Sequence, residues 1–147
     1  MADQRSKAEG SGPLDITLVT PTGEVTHRAV DAITAYGELG EFGVLPGHVP
    51  FLTKLDPGVM VLEEGRQTTV YAHGNGFLEV GDNGVVKALV EQAALGVDID
   101  AKEASAELEK AEHELNALDE GGGADFANLA ARRDWAMAKL SAVARAR

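Results

Sequence analysis

Gly40-Glu41-Phe42-Gly43-Val44-Leu45-Pro46-Gly47-His48-Val49-Pro50-Phe51-Leu52-Thr53-Lys54-Leu55-Asp56-Pro57-Gly58 is punctuated by glycine and proline at short intervals, with apolar residues between them. An ordinary solvated turn has no use for Phe42, Val44, Leu45, Val49 and Phe51. Glycine supplies left-handed backbone angles, and proline fixes φ while removing a donor. A segment so constrained and so apolar reads as a shaped loop that packs on its own sheet and shows a surface to something else. Short strand patterns flank it, and beyond Gly96 the composition changes.

Upstream, Leu14-Asp15-Ile16-Thr17-Leu18 alternates apolar and polar residues, the period of a half-buried strand. Thr20-Pro21-Thr22-Gly23 is a turn. Glu24–Ala29 and Val30–Tyr36 are strand-like, with Val25, Val30 and Ile33 pointing inward. Downstream come Val59–Leu62, a hairpin turn at Glu63-Glu64-Gly65-Arg66, and the β-branched and aromatic Thr68–Ala72. His73-Gly74-Asn75-Gly76 reads as another turn, before Phe77–Val80 and Val85–Val90. Short strands with a turn about every ten residues predict an antiparallel β-sandwich or flattened barrel over residues 14–95.

From residue 96 to 147 the period becomes helical. Ala101, Ala104, Leu108, Ala111, Leu115 and Leu118 recur at spacings of three and four. Asp98 or Asp100 supplies an N-cap. Gly121-Gly122-Gly123 breaks this helix, and Asp125 caps a second one with Phe126, Leu129, Ala136, Leu140 and Val143 on one side. The pattern predicts an antiparallel two-helix hairpin. Its seam is mostly alanine, and a buried methyl contributes about 0.8 kcal/mol against roughly 1.5–3 for a large aliphatic side chain. The hairpin is therefore expected to dock weakly and to rearrange. Its charge is divided. The first helix is acidic, from Asp98 through Glu120, and the second carries Arg132, Arg133, Lys139, Arg145 and Arg147. Either the two helices attract each other, or the basic face meets an acidic partner.

The chain has 147 residues, which suits one domain or a small domain with an appendage. Its net charge of −11 disfavours nucleic acid and anionic membrane surfaces. No apolar run approaches the roughly 20 residues that span a bilayer. Residues 1–13 are polar and read as a flexible tail rather than a secretory signal. With no cysteine, disulfides, thiolate metal sites and cysteine nucleophiles are excluded. His27, His48, His73 and His113 have no metal-ligand spacing, and no G-x-S-x-G or phosphate-cradling glycine motif occurs. His48 reads either as a loop histidine bonded to nearby backbone or as an interface contact. No nucleophile–base pair is present, so no catalytic residue is assigned and the residues point to a binding or structural protein.

The Gly40–Gly58 stretch matches G-E-x-G-x-x-P-G-H-x-P-x-L-T-x-x-x-P-G, and it resembles the signature of the epsilon subunit of bacterial F-type ATP synthase. Gly76–Val80 resembles a strand of that family ending in L-E-V, and Asp125-Phe126-Ala127 resembles the start of its second helix. The resemblance runs from about Leu14 to the end. It implies an N-terminal β-sandwich that binds the gamma subunit and rests on the c-ring. It also implies a C-terminal helical pair able, in many bacteria, to extend into the alpha/beta catalytic head and inhibit ATP hydrolysis. Such a subunit is a non-catalytic part of the rotor. It is peripheral, on the cytoplasmic side of the bacterial inner membrane, and couples proton or sodium flow to ATP synthesis. Carried over, Glu41, Phe42, Val44, Leu45, Pro46 and His48 form the c-ring and gamma contact, and Arg132, Arg133, Lys139 and Arg145 form the contact with the catalytic head. Some members bind ATP through I/L-D-x-x-R-A. Here that segment is Ile99-Asp100-Ala101-Lys102-Glu103-Ala104. Glu103 stands in the arginine position and repels phosphate, and Lys102 lies about 100° around the helix. No cofactor is expected, and ATP binding is expected to be poor. The alternative is a free-standing β-sandwich binding module, for carbohydrate or peptide, with a helical oligomerisation tail. It leaves the Gly40–Gly58 motif unexplained. A small hydrolase lacks its nucleophile–base pair.

Overall fold

The computed structural model describes residues 13–118 and 123–146. Nearly all of the expected N-terminal tail lies outside these residues, as do Asp119, Glu120, Gly121, Gly122 and Arg147. Ten strands follow one another: β1 Leu14–Thr20, β2 Gly23–Val30, β3 Ala32–Gly37, β4 Gly40–Val44 and β5 Phe51–Leu55, then β6 Gly58–Glu64, β7 Gln67–His73, β8 Gly76–Val80, β9 Val85–Val90 and β10 Ala93–Leu95. A single 3-10 turn, Gly96–Asp98, leads into helices α1, Ala101–Ala117, and α2, Ala124–Ala146. The β-sandwich followed by a helical pair is the predicted architecture.

The hydrogen-bonded order is β10-β7-β6-β3-β5-β8-β9-β1-β2, with β4 beside β3. Strand β3 joins the layers: Ala32–Thr34 pair with β6, Gly37 pairs with Leu55 of β5, and β4 lies alongside. The crossing needs a small residue. A Cβ on Gly37 would sit 3.1 Å from the Lys54 carbonyl and 3.3 Å from the Phe42 ring. Leu14, Ile16, Leu18, Ile33, Leu55, Met60, Leu62 and Leu78 fill the space between the layers. Arg28 of β2 ties the edge to the opposite layer, donating to Glu64 Oε1 at 3.0 Å and Thr69 Oγ1 at 3.2 Å.

Four details of the sandwich differ from the sequence reading. Strands β1 and β9 run parallel, so the sandwich is antiparallel except at one ladder. The Gly40–Gly58 stretch is not one loop, because β4 and β5 occupy most of it and only residues 45–50 connect them. Val25 is exposed rather than inward. Leu18 pairs with Thr26 and Val19 with Glu24, so Val25 is the extra residue of a β-bulge. Finally, His73–Gly76 is not a hairpin turn. Strand β7 pairs with β6 and β10 while β8 pairs with β5 and β9, so this segment carries the chain between layers.

The helices add a second, smaller core. Ala138 and Ala142 of α2 lie on Val59 and Val61 of β6 and Val70 and Ala72 of β7, with Ile99, Trp135 and Ala146 around them. Helix α1 buries Ala104 and Ala111 and packs chiefly on α2. Its N-cap is Asp100, whose carboxylate accepts from the backbone N–H groups of Lys102 and Glu103 at 3.0 and 3.1 Å. Asp125 is not a cap: α2 already begins at Ala124, and Asp125 sits within its first turn, where its charge suits the helix dipole. Phe126, expected on the packed side, is half-exposed. Helix α2 has buried residues on two sides, Leu129 and Ala136 on one and the Ala138–Ala142 stripe on the other, which a search for a single stripe does not separate.

Close approach of α2 depends on Gly96. A Cβ there would lie 3.0 Å from the Ala146 Cβ and 3.1 Å from the carbonyls of Ala142 and Val70. Overpacking of this kind costs about 1–3 kcal/mol. Gly96→Val is therefore expected to raise the opening of α2 roughly 10- to 100-fold while leaving the sandwich folded. Amide hydrogen exchange in α2 against that in β1 and β9 measures this, and equal protection of α2 in both proteins would contradict it.

His73 is fully buried. Its Nδ1 donates to the Gly74 carbonyl at 3.1 Å, and Nε2 has no hydrogen-bond partner among the described residues. Burial holds its pKa below the ordinary 6.5, outweighing the Gly74 carbonyl and the charge of Asp56, which act the other way. The unfolded chain then binds a proton that the folded one refuses. Stability from this site is fully present above the unfolded pKa of about 6.5 and is lost as the pH falls below it. Denaturant titrations between pH 7 and 5 are expected to show a steeper loss for the parent than for His73→Met, by at most about 1.4 kcal/mol per pH unit. Equal slopes would show that His73 takes up its proton without strain.

Candidate functional site

The segments that carry exposed apolar residues are short and tightly held. The first is the tip of the β3–β4 hairpin. Glu38 and Leu39 make the turn, Gly40 follows at φ 106°, and Leu39 is 104% exposed. This leucine stands fully out in water on a two-residue turn. Sequence reasoning passed over it because it lies just before the motif.

The second is the connection between β4 and β5. Gly47 has φ 85°, which only glycine adopts easily. The backbone N–H of His48 donates to the Leu45 carbonyl at 3.0 Å, and its Nδ1 donates to the Val49 carbonyl at 2.8 Å. The His48 ring lies 4.8 Å from Phe51, which meets Phe42 edge-on at 6.1 Å. His48 thus braces the loop from inside while Leu45 and Val49 stand exposed. Pro46 and Phe42 are half-buried, and Val44 is fully buried, paired with Ile33 and part of the core. Of the six residues expected to make one contact, Val44 shapes the surface from below. Glu41 and His48 flank opposite ends of β4: Glu41 pairs with Tyr36 beside the hairpin tip, and His48 lies beyond the other end.

A third surface is the outer face of the second layer. The register places Lys54, Phe77, Leu89 and Val19 in one row across β5, β8, β9 and β1. Phe77 is 53% exposed and Leu89 56%, and Leu52 is exposed on the same face. They border a shallow groove of about 420 Å³ with Val19 and Pro21. The alternation of Phe77, Glu79, Lys87 and Leu89 carries this signal in the sequence, but only strand order reveals that they adjoin.

Three basic residues of α2 are bonded within the chain. Lys139 donates to Glu107 of α1 at 2.6 Å and lies 5.5 Å from the centre of the Trp135 ring. Arg133 bonds Asp134 at 3.0 Å, and Arg145 bonds Glu41 at 3.0 Å. Arg132 lines an interhelical cavity of about 260 Å³ with Glu107, Glu114 and Trp135. Ile99 packs into the second core. Among the described residues no group of three or more His, Asp or Glu side chains is placed to hold a metal. Nor is any described helix long and apolar enough to cross a membrane.

Residues 13–96 match the family described as ATP synthase, Delta/Epsilon chain, beta-sandwich domain. The ATP synthase epsilon chain of Geobacter sp. (strain M21) is 47% identical over 105 residues, covering 71% of this chain and 75% of that protein. The epsilon chain of Trichlorobacter lovleyi is 41% identical over the same shares. A chain in the structure of the Euglena gracilis mitochondrial ATP synthase, OSCP/F1/c-ring, superposes with a TM-score of 0.75 at 28% identity, covering 85% of this chain and 78% of that one. A chain of the Tetrahymena thermophila mitochondrial ATP synthase central stalk and c-ring, 17% identical with a TM-score of 0.55, shares the fold over 90% of this chain and 95% of its own. This chain therefore belongs to the ATP synthase epsilon-chain family, and it is a non-catalytic stalk subunit of a rotary ATP synthase.

Proposed function

We propose that this stalk subunit joins the gamma subunit to the c-ring and turns with both, on the cytoplasmic side of the bacterial membrane. Two separate surfaces serve the two partners. The apolar row of Phe77, Leu89 and Val19, across three adjacent strands, fits a long partner laid along the sheet, and gamma is that partner. The β3–β4 tip, with Leu39 and Glu41, is narrow and protruding and fits the polar loops of the ring. Leu45, Val49 and the braced His48 extend the contact beyond the other end of β4. The helical pair is a regulatory arm. Freed from the sandwich, it carries Arg132, Arg133, Lys139 and Arg145 toward the alpha/beta head and restrains ATP hydrolysis there. The observation that carries the reading is the exposed apolar row on a chain whose net charge of −11 would otherwise keep its surface solvated.

The outward row can be altered without touching the core. Phe77→Asp with Leu89→Asp is expected to weaken binding to gamma by about 30-fold or more, as for an interface hot spot, with circular dichroism unchanged. Co-purification with gamma and titration of the pair measure this. Undiminished binding would sink the assignment of this face.

ATP binding is proposed to be absent or weak. The Asp100 carboxylate is committed to two backbone N–H groups at the start of α1, and Glu103 is exposed on the same turn with its charge toward any approaching phosphate. Titration calorimetry of the full chain with ATP is expected to show no saturable heat at micromolar concentrations. A micromolar dissociation constant would overturn this.

A further inference from the structure

The ion pair between Glu41 and Arg145 joins two parts of the chain that have no other common purpose. The residues lie 104 positions apart. Glu41 belongs to β4 beside the exposed hairpin tip, and Arg145 to the last turn of α2. Between them runs an open cleft of about 620 Å³, bordered by Tyr36, Glu41, Asp56, Asp134, Ser141 and Arg145. Three carboxylates face this cleft, and Arg145 is the only cation among the described residues that line it. Asp134 is already bonded to Arg133. Arg145 bonds Glu41 across the cleft, donating from Nη1 at 3.0 Å.

The pair sits at the rim of a contact that can open alone. The main core is closed by the strands, with no helical side chain in it. The second core is separate and holds α2 through small side chains, chiefly Ala138 and Ala142 on valines and Ala72. Lifting α2 exposes only this second cluster, so an added link at its end has a visible share in whether it stays down.

We propose that Glu41 and Arg145 form a latch that couples the β3–β4 tip to the docking of the helical arm. While the latch is closed, α2 is held on the sandwich and the tip is held by α2. A cationic group of a neighbouring subunit that takes up Glu41 opens the latch and loosens the arm. By linkage, an arm that has left the sandwich frees Glu41 for that neighbour. The proposal rests on the reading of the helices as a movable arm, but it assigns the signal for release to one carboxylate at the foot of the sandwich. Both side chains are about half exposed, so the latch is screened by salt.

The test uses the full chain and amide hydrogen exchange read at two places, the second half of α2 and the Glu38–Glu41 tip. Glu41→Gln and Arg145→Gln are each expected to speed exchange in α2 by about 1.5- to 5-fold at low salt, the range for an exposed pair. Arg145→Gln is expected to speed exchange at the tip as well, and the double variant to add nothing beyond either single one. The swapped pair, Glu41→Arg with Arg145→Glu, restores slow exchange. At 1 M salt the differences vanish. Singles that exchange like the parent, or whose effects add without restoration by the swap, overturn the latch. Ala142→Asp, which places a charge in the second core, separates this from failure of the arm reading. If Ala142→Asp speeds exchange in α2 while the latch variants do not, only the latch falls. If none of the variants moves it, α2 is not a separately opening arm, and both readings fall.

Discussion

The arrangement of this molecule depends on how near a helix can lie to a sheet. Helix α2 reaches β6 and β7 because alanines face valines and alanine there, and because Gly96 has no side chain where the chain turns from strand to helix. That contact is close but poor in apolar atoms. Each alanine contributes about 0.8 kcal/mol, where a leucine would give roughly twice that or more. The sandwich gains nothing essential from it, since its own core is complete without the helices. A docked arm of this kind keeps its place by geometry and by the ion pair of Arg145 with Glu41 at its edge, while Lys139 on Glu107 holds the two helices together. A heavier interface would fix the arm permanently, and a still lighter one would leave it always adrift.

Charge division acts on the same balance. The acidic α1 faces a basic α2, and in the docked state Arg133, Lys139 and Arg145 are each bonded to a carboxylate of the chain. A basic helix with no internal partners would carry a fixed positive field toward any acidic neighbour. Here Asp134, Glu107 and Glu41 offset three of those charges, while Arg132 stays exposed. Of the two readings of the divided charge, the docked state shows the internal attraction, and the external acidic partner belongs to the proposed released state.

The sandwich was legible in the sequence because alternation survives in nearly every strand, as in Leu14, Ile16 and Leu18. The helices were legible because Ala104 and Ala111 keep their spacing. What the sequence hid was relational. The parallel ladder of β1 and β9 and the passage at His73–Gly76 depend on strand order, which no local pattern records. The bulge at Val25 shifts one residue out of phase and leaves the alternation around it intact. Trp135, Ala138 and Ala142 form a second stripe on a helix already assigned one, and an alanine stripe gives too little hydrophobic contrast to stand out. The motif from Gly40 to Gly58 identified the family, yet it compressed three different roles into one line of text. Val44 fills the core, His48 and Phe51 brace a loop, and Glu41 points to the helices.

That separation of roles bears on how a rotor foot can work. A surface that transmits torque must not yield, and the loop after β4 is stiffened by two hydrogen bonds of His48 and by the contacts of its ring with Phe51 and of Phe51 with Phe42. A surface that reports contact must be able to change, and Glu41 is held only by an exposed ion pair to the end of a lightly docked helix. Five-residue β4 carries the yielding element at one end, and the braced loop adjoins the other. The His48 brace and the Glu41 ion pair share no hydrogen bond or ring contact, so a charge brought to Glu41 breaks none of the bonds that hold the loop. On the proposed function, grip and the setting of the arm thus lie toward opposite ends of β4 and rest on separate contacts.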